Sequence, residues 1–123
     1  MMEIILTEIN GIGIAEIISD SIEIRNTQDA LDIMGNCFYQ GAKAMILHEK
    51  NIVPAFYDLK TRIAGDILQK FSNYGVRLAI VGDFSKYDSK SLRDFIYESN
   101  KTGRIIFVSA ATEAIEVFGK KPK

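Results

Sequence analysis

Apolar residues crowd both sides of the dipeptide Asn10-Gly11. Ile4, Ile5, Leu6 and Ile9 precede it, and Ile12, Ile14, Ile17 and Ile18 follow. Asn-Gly supplies the two positive-φ positions of a type I′ turn, so residues 3 to 18 predict an antiparallel hairpin. A short Ile22-Glu23-Ile24 piece then leads into a helix from about Thr27, capped by Asn26 or Thr27. Its apolar positions Ala30, Leu31, Met34 and Phe38 have helical spacing, and Gly41 ends it. Lys43 to His48 is an apolar run of strand length. The connection from Glu49 to Tyr57 is the longest loop candidate, and Pro54 disfavours helix at Val53.

The best-patterned helix is expected to start near Asp58, whose carboxylate caps it at the positive end of its dipole. Ile63, Ala64, Ile67, Leu68, Phe71 and Tyr74 make one apolar face. Arg62, Asp66, Gln69 and Asn73 make the opposite stripe, with Arg62 and Asp66 as an i,i+4 pair, and Gly75 is a fitting stop. Leu78-Ala79-Ile80-Val81 is apolar on both faces, as a strand covered by helices on each side must be. Asp88-Ser89 caps a helix with Leu92, Phe95, Ile96 and Ser99 inward, closed by Gly103. Ile105 to Val108 repeats the buried-strand pattern, and Thr112 caps a last helix carrying Ala114, Ile115, Val117 and Phe118. Strands that alternate with helices imply βαβ crossovers onto a mostly parallel sheet. The expectation is an α/β single domain of about five strands and about four helices, with the N-terminal hairpin as an antiparallel edge. It spans residues 1–118, and residues 119–123 form a basic tail.

Composition narrows the function classes. The 123 residues form one domain, long enough to bury a core without a disulfide or metal staple. Fifteen basic and sixteen acidic residues leave a net charge of −1, and only Lys120-Lys121-Pro122-Lys123 is locally basic, so nucleic acid is not an expected partner. The run Ile4-Ile5-Leu6 is far shorter than a signal-peptide core or a membrane span, and Cys37 is the only cysteine, which together point to a cytoplasmic protein with a reduced, packed thiol and no membrane partner.

The succession of elements resembles the STAS fold of anti-sigma-factor antagonists. More closely, residues from roughly Ile22 to Phe118 resemble the bacterial uncharacterised family numbered 4180 among domains of unknown function. The residues that carry the likeness include Asp58-Leu59-Lys60-Thr61, Ala64-Gly65, Leu68-Gln69-Lys70-Phe71, Ala79-Ile80-Val81-Gly82-Asp83 and Ser89 to Asn100. The family brings no established activity. The STAS likeness implies a regulatory, partner-binding role, with a phosphorylatable hydroxyl at the start of the helix after the third strand. Thr61 is the nearest hydroxyl there, without the small-residue turn that such a site has.

Chemistry-bearing residues gather at the carboxyl ends of the strands, where open α/β sheets bind ligands: His48-Glu49, Gly82-Asp83 with Ser85, and Ser109. His48 suits a general base with Glu49 or Asp83 as its partner, although a solvated strand-end histidine is the favoured account, since no motif surrounds it. No ligand spacing for a metal appears, and no glycine-rich phosphate loop, so no metal or cofactor is expected. Asp58, Lys60, Thr61 and Arg62 suit a small anionic ligand or an acidic partner surface, beside their plain use as a cap and solvated first turn. Gly65 costs a helix about 1 kcal/mol relative to alanine, which suggests close approach of another backbone or a partner. The leading expectation is a non-enzymatic module that binds a protein or a second copy of itself through the helix from Asp58 to Asn73, including Gly65, Asp66, Gln69 and Asn73. The alternative is a small-molecule site, perhaps enzymatic, around His48, Glu49, Asp58 and Asp83.

Overall fold

The computed structural model describes residues 2–120. Strands β1 (Glu3–Ile9) and β2 (Ile12–Ile18) form the hairpin in unbroken register, with Asn10 at φ 54° and Gly11 at φ 80° in the turn. Helix α1 (Thr27–Tyr39) follows, capped by Asn26, whose Oδ1 accepts from the Asp29 N–H at 2.9 Å. Next come β3 (Ala44–His48), α2 (Ile63–Asn73), β4 (Arg77–Val81), α3 (Lys90–Thr102), β5 (Ile105–Val108) and α4 (Ala111–Gly119). Short 3₁₀ turns at Glu49–Asn51, Pro54–Tyr57, Leu59–Thr61 and Phe84–Lys86 fill the connections. The molecule is thus an α/β protein with a five-stranded mixed sheet and four helices, antiparallel only between β1 and β2. Lys121 to Lys123 of the expected basic tail lie outside the described residues.

The strands lie in chain order, β1-β2-β3-β4-β5. Alternation of side chains across the sheet divides the core in two. On one face Ala15, Ile17, Met45, Leu47, Leu78, Ile80 and Phe107 pack under α1, α2 and α3; on the other Ile14, Ala44, Ile46, Ala79 and Ile106 pack under α4 through Ala114 and Phe118. Three successive connections therefore run over the same face. No helix among the described residues is long and apolar enough to cross a membrane.

Several local expectations need correction. Phe38 is 70% exposed and Tyr74 67%, because α1 turns Ala30, Ile33, Met34 and Cys37 inward and α2 ends at Asn73. Asp58 caps only the 3₁₀ turn, accepting from the Lys60 N–H at 3.2 Å, and α2 begins five residues later. Arg62 separates the two at φ 65°, in the left-handed region that breaks a helix. The last helix starts before Thr112, from Ala110 without a side-chain cap. Among the described residues Arg62 and Asp66 form no side-chain ion pair; only the Asp66 N–H meets the Arg62 carbonyl, at 3.0 Å.

Candidate functional site

The parallel register of β2 and β3 sets Glu16 beside Ile46, so His48, two residues further on, projects from the same sheet face. There His48 Nε2 lies 2.7 Å from Glu16 Oε2, both side chains being partly open to solvent. Glu49 and Asp83, the partners that sequence position suggests, are engaged elsewhere. The sequence does hold a signal for Glu16: it stands between Ile14 and Ile18 on one face of a strand, where a carboxylate needs a partner.

Glu49 begins the turn after β3 and faces Lys86 and Tyr87 from the β4–α3 connection. Its Oε2 accepts from the Tyr87 hydroxyl and lies 2.7 Å from Lys86 Nζ, while its main-chain carbonyl accepts from the Tyr57 hydroxyl at 3.0 Å. The Tyr57 and Tyr87 rings stack at 5.1 Å. Burial, and then the Glu49 carboxylate, push both phenols well above their ordinary range, so they stay protonated and hold the loop as donors. Gly82 fits closely against this cluster: a Cβ there would meet Glu49 Oε1 at 2.6 Å and Glu49 Cβ at 2.7 Å. A cleft of about 210 Å³ opens beside it, lined by Ile22, Lys50, Ile52 and Pro54 among others. Asn51, fully buried, ties the same region to the strand end of β2 by donating to the Ser19 and Ser21 carbonyls, each at 2.8 Å.

Asp83 is spent on its own turn. It accepts from the Ser85 hydroxyl at 2.5 Å and the Ser85 N–H at 3.1 Å, and these bonds hold its carboxyl below the usual range. Ser109 donates to Glu113 in the first turn of α4. Among the described residues no hydrogen bond joins any two of His48, Glu49, Asp58 and Asp83, and no three His, Cys, Asp or Glu side chains gather as metal ligands do.

The start of α2 behaves similarly. Thr61 Oγ1 lies 2.8 Å from both the Ala55 and Asp58 carbonyl oxygens and accepts from the Ile63 N–H, so its hydroxyl knits the turn. Lys60 and Arg62 are exposed, as is Asp66, and Gln69 donates to Asn73 at 2.8 Å along the outer face of the helix. Among the described residues Gly65 has nothing within 4 Å of where a Cβ would stand, so no neighbouring backbone there explains it. Instead it lines a groove of about 480 Å³ between α2 and α3, with Leu68, Gln69, Phe95, Arg104 and Ile105. On the other flank of α2 a second groove of about 420 Å³ runs between Met34, Phe38, Tyr74 and Val76.

The model of a family described as a domain of unknown function, DUF4180, matches residues 9–118. The chain belongs to this family. Comparison with curated proteins and with solved structures finds no match. The DUF4180 match spans both sides of the sheet, from the hairpin turn to α4, and takes in every candidate residue named above.

Proposed function

We propose that this DUF4180 chain is a non-enzymatic binding module that receives a segment of a protein partner along α2, in the groove between α2 and α3. The observation that carries the reading is Gly65. It widens the groove wall at a position where the chain itself needs no glycine, and apolar Leu68, Phe95 and Ile105 line the space it leaves. The sheet topology bears on the alternative at the carboxyl edge. In open α/β sheets, ligands settle at switch points, where the connections from neighbouring strands part to opposite faces. Here the connections from β2, β3 and β4 all cross one face and that from β5, through α4, crosses the other, so among the described residues such a parting falls only between β4 and the edge strand β5, where Gly82, Asp83, Val108 and Ser109 line an open cleft of about 480 Å³. A regulatory role of the kind that anti-sigma-factor antagonists perform is the finer form of this reading, and it rests on resemblance in the order of elements.

Affinity capture with wild-type and Gly65→Phe baits tests it. The expected outcome is a partner retained by wild type and lost with Gly65→Phe at unchanged melting temperature; identical capture by both baits, or none by either, overturns the reading. The second reading, a small-molecule site at the carboxyl edge, is favoured by the Glu16–His48 pair, which is partly open beside Val81 of β4. A thermal-shift screen against metabolites tests it, since saturating ligand raises the stability of the native state by a few kcal/mol, at about 2.7 for a hundredfold excess over Kd. A hit that Glu16→Gln abolishes supports this site in place of the groove.

A further inference from the structure

The two edges of the sheet are treated differently. Along β5 the carbonyls of Arg104 and Val108 accept from β4, so the main-chain groups of Ile105 and Phe107 point outward. Side chains of α3 occupy three of these four groups. Asn100 donates to the Phe107 carbonyl at 3.2 Å and accepts from the Phe107 N–H at 2.7 Å, as a neighbouring strand would, and Ser99 donates to the Ile105 carbonyl. This edge is closed.

The β1 edge is open. A two-residue hairpin makes Ile9 and Ile12 a hydrogen-bonded pair, and alternation from there turns Ile9, Thr7, Ile5 and Glu3 toward β2. The Gly13 carbonyl accepting from the Lys43 N–H at 2.8 Å, on the β3 side of β2, fixes the same phase. The main-chain groups of Ile4, Leu6 and Glu8 therefore face outward, and among the described residues none of them has a hydrogen-bond partner on that side. Of the usual guards of such an edge β1 has only the charge of the exposed Glu3 and Glu8: it carries no lysine, proline or bulge, and Ile5 and Leu6, on opposite faces, are each 46% exposed.

We propose that β1 pairs antiparallel with β1 of a second copy about a two-fold axis through Leu6, joining the two sheets into one. The outward residues are symmetric about Leu6, so this register brings all of them into the ladder: Ile4 with Glu8 of the second copy, Leu6 with its equivalent, Glu8 with Ile4. Between these, Ile5 faces Thr7 and Glu3 faces Ile9. No glutamate meets a glutamate directly, and the exposed leucines meet each other at the centre. A strand-to-strand interface is smaller than the roughly 1,600 Å² of a standard one, which places the dimer among weak, concentration-dependent associations. This surface is separate from the α2–α3 groove, and either proposal stands if the other fails.

Sedimentation velocity on the full chain, from low micromolar to near-millimolar concentration, is the test. Wild type is expected to pass from monomer to dimer. Leu6→Lys, which sets two ammonium groups against each other on the axis and leaves the β1–β2 ladder intact, is expected to stay monomeric with an unchanged melting temperature. Should that variant fold poorly, amide hydrogen exchange on wild type decides, with the Ile4, Leu6 and Glu8 amides at least tenfold more protected at high concentration. A wild-type chain that stays monomeric, a dimer that survives Leu6→Lys, or exchange at those amides independent of concentration overturns the proposal.

Discussion

A methyl group added at Gly65 meets nothing within 4 Å, whereas one added at Gly13 lands 2.5 Å from the Gly41 carbonyl oxygen and 3.3 Å from Ala42 Cα. The first position is an ordinary helical one, so Gly65→Ala is expected to raise stability by up to about 1 kcal/mol. Main-chain atoms at the second cannot swing aside, so Gly13→Ala is expected to lower it by about 1–3 kcal/mol. Urea denaturation of the two variants measures both, and a destabilised Gly65→Ala would show that the residue has a structural duty after all. At this scale the sequence was uneven to read. Asn10-Gly11 announces its turn because only certain residues adopt positive φ cheaply. Arg62, at φ 65°, carries no such mark, and the helix expected from Asp58 begins at Ile63 for that reason. The Glu16–His48 pair was out of reach because it joins residues 32 apart through a strand register that the chain alone does not state.

At the level of elements, hydrophobic spacing found every strand and helix but not always the face each turns inward. In α1 the sets Ala30, Leu31, Met34, Phe38 and Ala30, Ile33, Met34, Cys37 both have helical spacing, and packing against the sheet selects the second, leaving Phe38 outside. What periodicity cannot express is the use of α3 as a guard. Ser99 reads as an inward residue of an amphipathic helix, yet with Asn100 it stands in for a strand that β5 lacks. Asn100→Ala is expected to cost about 1–3 kcal/mol, since it strips partners from both main-chain groups of Phe107. Faster exchange of the Phe107 amide would locate the loss; a variant as stable as wild type would mean that water replaces the side chain without penalty.

For the whole molecule, pH offers a test of the packing around Cys37, Tyr57 and Tyr87. Burial pushes the Cys37 thiol from an ordinary 9.0 up to about 11, and both phenols shift in the same direction. The native state therefore holds these protons after the unfolded chain has released them. Their contribution to stability is complete below pH 9, declines as pH rises above it, and for Cys37 is gone beyond about 11. The urea midpoint is expected to fall steadily across that window, and a flat profile would mean that the three groups are better solvated than their positions imply. The order β1-β2-β3-β4-β5 has a further consequence, for the time before the molecule is complete. Each strand pairs with the one synthesised just before it, so a chain leaving the ribosome can add structure in the order in which it appears, closing a two-residue turn first and then one helical crossover at each step. Ser99 and Asn100 are made before Ile105, so the cover for the last strand already exists when that strand arrives. The growing edge is shielded as soon as growth stops, while the first strand keeps the open side it had from the start.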